Sequence, residues 1–474
     1  MERTECRTDQ LVFQGFGRRA VVAAFDGGRL SSDAGGLLLL REVAERTGML
    51  RRFARCFVDH RKPDLIEHTV EEMTAQRILA QACGYEDVDD HDVLRDDALL
   101  AVASGKGDAT GERRRRKRDR GHALAGKSTL NRWELTPAEA TAESRYKKIV
   151  YVEEEVERFF VREFLTAHGR PPQEVVLDLD ATDDPLHGHQ EGRFFHGYYR
   201  EYCYLPLYVF CGDFLLAAKL RTANQDGAAG SVEEVERIVG QIRQRWPRVR
   251  IIVRADSGFA RDDLMTWCEA NGVEYVLGLA KNDRLVPEIS AEMAEARQEH
   301  ERTGRPARVF KDFTYRTRKS WDRERRVVGK AEWLPGKENP RFIVTSLSAD
   351  EWAAAPLYEK PYCARGDMEN RIKEQQLDLF ADRTSTGTMR GNPLRLWLAS
   401  VAYVLVNELR RAGLAGTEMA RAQAGTIRTR LLKIAGRITF SVRRVVVSLS
   451  SVHPMQAVFA QVLANIQRAY PLTS

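Results

Sequence analysis

Two apolar segments end in acid, and a third acid lies on a patterned polar stretch. In "EVVLDLDAT", Asp178 and Asp180 are two residues apart and so share one strand face. In "RIIVRADSG", Asp256 closes the run and a Ser257-Gly258 turn follows, leaving its side chain at the C-terminal edge, where sites form in open α/β sheets. Either aspartate alone reads equally as a cap or turn residue. Two on neighbouring strands repel unless cations lie between them, and hard divalent ions such as Mg²⁺ take oxygen ligands of this kind. The third acid is Glu369 in "YCARGDMENRIKEQ", where Tyr362, Arg365, Glu369 and Lys373 follow at helical steps of three, four and four. Such a face is either a solvated stripe of ion pairs or one wall of a site for phosphate and metal. Two cations held by such acids stabilise the attacking and leaving oxygens of an in-line displacement at phosphorus, which is nuclease or strand-transfer chemistry.

Basic residues exceed acidic ones by only 74 to 68, so a polyanion partner requires local clustering. The run Arg113, Arg114, Arg115, Arg116, Lys117, Arg118 supplies it, with Thr129, Asn131, Arg132 and Trp133 close behind. The run reads as a flexible strap that tracks DNA phosphates or as a solvated loop. "HGHQEG" (His187, His189, Glu191) offers imidazole and carboxylate for a transition metal, or a polar loop. The seven cysteines form no C-x-x-C pair, which argues against zinc and disulfides. Neither a signal-like h-region nor a run of the ~20 apolar residues a span requires is present, so the expectation is a reduced, cytoplasmic chain.

These residues need a frame, and 474 residues should divide into at least two domains. Residues 31–105 carry helix caps and stops at Gly48 and Gly84. A long amphipathic helix is expected over Pro137 to Ala167, then strands and helices in the order βββαβαβ, a mixed sheet with helices on its faces. Residues 283–340 alternate apolar with basic residues and read as short strands inserted in the sheet domain. Helices resume from Leu357 to Ala412, and a β ribbon with a closing helix ends the chain. The expected divisions are 1–135, 136–282, 283–340, 341–415 and 416–474.

The order of Asp180-Ala181-Thr182, then Ala255 to Gly258, then Tyr362 to Asn370 resembles the DDE transposases of bacterial insertion sequences. The similarity is to the cut-and-paste group with a Tyr-Arg-Glu-Lys signature and a β-strand insertion domain. It implies an α/β fold with a ribonuclease-H-like mixed sheet and a β-rich insertion, preceded by an all-helical DNA-binding region. It further implies that Asp180, Asp256 and Glu369 hold two Mg²⁺ ions, with Mn²⁺ as a substitute, and that Tyr362, Arg365 and Lys373 grip phosphates. Trp321, Trp333 or Tyr315 would stack on an unpaired base, each being equally a core residue. The implied partners are double-stranded DNA, as transposon ends and target, and a second copy of the chain in the DNA complex; bound to DNA, the protein would sit at the bacterial nucleoid. The broader signature has its Lys seven residues after the Glu, where this chain has Gln376, so Lys373 departs from the pattern. Asp-x-Thr favours Asp180 as first ligand, with Asp178 the alternative. Other readings are a glycosidase using Asp180 and Glu369, and a non-catalytic DNA-binding protein derived from a transposase.

Overall fold

The computed structural model describes residues 10–13, 21–24, 31–441 and 443–471. Its centre is a nine-stranded mixed sheet. The strands that matter for the site are β1 (Glu174–Ala181), β2 (Leu207–Cys211), β3 (Phe214–Lys219), β4 (Arg250–Ala255), β5 (Glu274–Leu279), β6 (Ala307–Tyr315), β7 (Arg325–Leu334) and β8 (Arg341–Thr345). They lie in the order β3-β2-β1-β4-β5-β8-β7-β6, with Lys337–Glu338 pairing on β7. Strands β1, β4 and β5 run parallel; all other neighbours are antiparallel.

Strand alternation sorts the residues of β1 into two environments. Val175, Leu177 and Leu179 face helices Glu153–Ala167, Ser231–Arg245 and Asp262–Ala270 in a fully buried layer with Ile251, Val253 and Ala255. Val176, Asp178 and Asp180 face the other way. On that second face Tyr208 and Phe210 of β2 pack under helix Gly391–Glu408, while Ile252, Val276 and Ile343 pack under Leu357 and Tyr358. The acids emerge between these two apolar contacts.

Helices Leu37–Thr47 and Val70–Ala82 do not build a core of their own. Leu40, Val43, Ile78 and Leu79 share one cluster with Trp397, Leu398, Val401 and Leu405 of the Gly391–Glu408 helix and with Val462 and Ile466 near the C-terminus. A buried ion triad crosses the same contact: Glu134 accepts from Arg77 at 3.0 Å and from Arg395 at 2.8 Å.

Three expectations are corrected. The N-terminal region is not all helical, because Gln10–Phe13 pairs with Val21–Ala24, and Phe57–Asp59 is a strand. The helix expected from Pro137 begins only at Glu153: the β-branched Ile149 and Val150 form a strand with Tyr151 against Phe57–Asp59, and Glu153, Glu154 and Glu155 then start the helix where its dipole favours acids. Residues 283–340 open with helices Leu285–Glu288 and Ser290–Thr303, and their two long strands extend the main sheet because β8 joins β7 to β5. In the run 113–118 Arg114 is anchored, donating to Glu67 at 3.0 Å and to the His122 carbonyl at 2.7 Å, while the other five basic residues are exposed. The six described cysteines form no disulfide with one another; Cys6 lies outside the described residues. Among the described residues no helix is long and apolar enough to cross a membrane.

Candidate active site

Parallel pairing sets the first two acids. Arg254 lies opposite Asp178 and Ala255 opposite Leu179, so continuing the register by one residue puts Asp256 beside Asp180. Asp256 leaves the strand and caps the Ser257–Phe259 turn, accepting from the Gly258 amide at 2.8 Å. Gly278 of the adjacent β5 makes this turn fit. A Cβ there would meet the Tyr362 hydroxyl at 2.7 Å and the Ser257 amide nitrogen at 2.8 Å. Only glycine lets the turn and the tyrosine close over the strand.

Asp178 and Asp180 share a face but not an environment. Asp178 is 3% exposed and held by a two-pronged bridge from Arg254, whose Nη2 reaches Oδ2 at 2.7 Å. Burial pushes its carboxyl up, and Arg254 opposes that. The same guanidinium donates to the Pro361 carbonyl at 2.5 Å, tying the strand to the helical segment that carries Glu369. Among the described residues Asp180 has no such cation fixed to it; its Oδ1 accepts the Ala181 amide, at 2.9 Å.

The helical segment runs from Ala354 to Asp378 with two π turns, Tyr358–Tyr362 and Glu374–Asp378, around helix Gly366–Lys373. Pro361 explains the first. It has no N–H to give, and its ring crowds the carbonyl one turn back, so the chain widens there. Arg365 donates to Glu369 at 3.0 Å, as an i,i+4 pair on one face. Its half-buried guanidinium also lies in the fields of Tyr362, Asp180 and Asp256, which together hold its pKa above the ordinary value against burial. Asp180 is pushed up to about 7, first by burial and then by the Asp256 charge, with Glu369 adding; Arg365 and the Ala181 amide oppose this. Tyr362 is likewise raised, chiefly by burial. Lys373 is exposed, and Gln376 donates to the Asp183 carbonyl at 2.9 Å.

Three acids therefore surround one arginine, and the pair Asp180–Asp256 is short of positive charge. That deficit and the all-oxygen donor set fit a hard divalent cation. As placed, Glu369 is turned to Arg365, and among the described residues no three acidic, histidine or cysteine side chains converge on one metal-sized point. The His187, His189, Glu191 group does not converge either, for Glu191 is committed to the Met389 amide at 2.9 Å.

Elsewhere the sequence-selected residues separate. Arg116 and Arg118 line a polar cleft of about 430 Å³ with Arg61, Arg95, Thr129 and Arg132. Arg113, Arg115 and Lys117 are exposed beside it, and Arg115 donates to the Asp64 carbonyl at 2.8 Å. Trp133, 2% exposed, packs on Phe57. Trp321 and Tyr315 are buried edge to face against each other, with ring centres 5.8 Å apart, so neither offers a ring for a base. Both lie where the sheet meets its helical layer, which takes up their apolar surface. Trp333 is half-buried under Arg297. Arg254 escaped the sequence reading, although an arginine in the middle of a buried strand, at the same parity as Asp256, signals an anionic partner.

A family model described as the transposase DDE domain, group 1, matches residues 13–471. The chain belongs to the DDE transposase family. No curated protein matches it. A DDE transposase acts on DNA, and the match spans both the sheet with its three acids and the N-terminal helices with the basic cleft. It leaves no ground for the glycosidase reading.

Proposed function

We propose that this DDE transposase cleaves DNA strands and transfers them at the terminal inverted repeats of an insertion sequence, using two Mg²⁺ ions, or Mn²⁺ in their place. The observation that carries the reading is the adjacency of Asp180 and Asp256 at the C-terminal edge of β1 and β4, faced by Glu369 and Arg365. The strand order supports a ribonuclease-H-like core, with three antiparallel strands followed by two parallel ones, each of the latter preceded by a helix. Asp180, Asp256 and Glu369 would hold the cations, which supply charge stabilisation for an in-line displacement at phosphorus.

The chain's own residues do the rest. Asp180 is assigned as first ligand over Asp178, because Asp178 is already neutralised by Arg254. Arg365, released by Glu369, presents a planar fork of donors matched to a phosphate. The Tyr362 hydroxyl, seated over Gly278 beside the Asp256 turn, positions the backbone of the strand to be cut. Lys373 and the arginines of the N-terminal cleft hold phosphates farther along the duplex. Two copies of the chain would act together on paired ends.

The test is cleavage of DNA carrying the sequences that flank the reading frame. With Mg²⁺ present, Asp256→Asn is expected to lose strand cleavage by well over the ~10–100-fold that an outer-shell change costs, while keeping its affinity for the ends. Equal cutting by wild type and variant would end the enzymatic reading. Binding without cutting by both would make the protein a DNA-binding regulator instead.

A further inference from the structure

Between β1 and β2 the chain forms a small three-stranded ribbon, in the order Asp184–Pro185, Glu201–Tyr204, Phe194–His196. Its base is fixed. Thr384 donates to Asp184 at 2.7 Å, Asn392 donates to the Tyr204 hydroxyl at 3.1 Å, and Cys203 and Tyr204 are fully buried. Its outer part is the opposite: Phe194, Phe195, Tyr198 and Tyr202 are 40%, 56%, 82% and 47% exposed. Four large exposed rings within nine residues are costly to leave in water, and Phe195 and Tyr202, paired on one face of the ribbon, make the kind of apolar surface that marks an interaction site.

The rings are also held in place. Phe195 lies opposite Tyr202 in the strand pairing with ring centres 5.6 Å apart, Arg193 covers Tyr202 at 4.6 Å, and Tyr198 stands edge-on to Tyr199 at 5.0 Å. The turn that presents Tyr198 keeps Arg200 in the left-handed region, at φ 62°, with its amide bonded to the His196 carbonyl at 2.8 Å. A non-glycine residue adopts that conformation at a cost, which fits a turn shaped for a task. Tyr199 connects the ribbon to the acids, since its hydroxyl donates to the carbonyl of Ala181, the residue after Asp180.

Of the charged groups here, Glu191 is taken by the Met389 amide and Glu201 shares a hydrogen bond with Asp183, while Arg193 lies over Tyr202 and Arg200 is exposed in the turn beside it. Aromatic faces interleaved with arginine suit nucleic-acid bases, all of which have a π face. We infer that the ribbon stacks unpaired bases of the DNA end on Phe195, Tyr198 and Tyr202, holding the duplex open beside the carboxylates. This rests on the cleavage reading for the ribbon's purpose but not for its binding.

The probe is a forked duplex with 2-aminopurine in its unpaired arm, compared with a fully paired duplex of the same sequence, both bound to the full chain without divalent metal. Wild type is expected to prefer the fork by at least about tenfold and to quench the 2-aminopurine. The double variant Phe195→Ala with Tyr198→Ala should lose that preference but keep its affinity for paired DNA and its thermal melting. Phe195→Tyr with Tyr198→Phe should retain the preference. No fork preference in wild type, or an unchanged preference in the double alanine variant, overturns the inference. So does a double variant whose only change is its oligomeric state, which would make the ribbon a protein interface. A wild type that prefers the fork yet cuts no DNA sinks the cleavage reading alone, and one that cuts without fork preference sinks the ribbon alone.

Discussion

At Asp180, burial and two neighbouring carboxylates work against ionisation, and a carboxyl that titrates near 7 must lose its proton to take a cation. Divalent-metal affinity should therefore climb with pH up to about 7 and level off above it, with close to one proton released per binding event below that point. Calorimetry in two buffers of different ionisation enthalpy measures both. The same shift acts on folding. The native pKa lies above the ordinary 3.8, so the native state binds more protons than the unfolded chain between about pH 4 and 7, and stability falls as pH rises through that window. The slope from this one group reaches at most roughly 1.4 kcal/mol per pH unit. Asp180→Asn should remove the slope and leave the metal-free protein more stable than wild type at pH 8. Asp178→Asn should do the reverse, stranding the buried Arg254 and costing about 3–5 kcal/mol in denaturant unfolding. The contrast between these neighbours was not legible in the sequence. Both end the same apolar run, and what separates them is an arginine 76 positions downstream that only strand pairing brings into contact.

The Ala354–Asp378 segment shows how an element can carry a readable pattern while hiding its geometry. The four-residue step from Arg365 to Glu369 is realised as an ion pair, as helical spacing requires. The π turns on either side break the simple count, so positions beyond them fall off the expected face. Gln376, inside the second π turn, is bonded to a backbone carbonyl, whereas Lys373 precedes that turn on the same helix as Glu369 and is exposed. Each π turn holds one residue more than an α turn, and deleting one residue from Tyr358–Tyr362 would rotate Arg365 and Glu369 about 100° away from β1 and β4. On the facing strand, Gly278→Ala should cost about 1–3 kcal/mol and reduce cleavage even where the protein remains folded, because backbone atoms of the Asp256 turn cannot yield to the added carbon. Denaturant melts and cleavage rates at one temperature separate the two losses. The central strands were readable from apolar runs, whereas Ile149–Tyr151 was not, since its partner strand lies in the N-terminal region.

Over the whole molecule, the N-terminal helices and the sheet are joined through Gly391–Glu408, which shares their core and donates from Trp397 to the Ala218 carbonyl on β3 at 2.9 Å. Unfolding should accordingly be a single transition by circular dichroism and tryptophan fluorescence. Glu134→Gln, which leaves Arg77 buried without its counter-charge, should shift both signals together, by about 3–5 kcal/mol. Divisions placed by composition at residue 135 could not reveal this, because the uniting helix lies more than 250 positions later. The shared core also has a metric consequence. With the arginine cleft and the carboxylates on one frame rather than on modules joined by a linker, the proposed function would make the protein a ruler laid along its DNA: the cut would be counted in base pairs from the segment held at the cleft, and inserting half a helical turn between the two should abolish cutting while leaving binding intact.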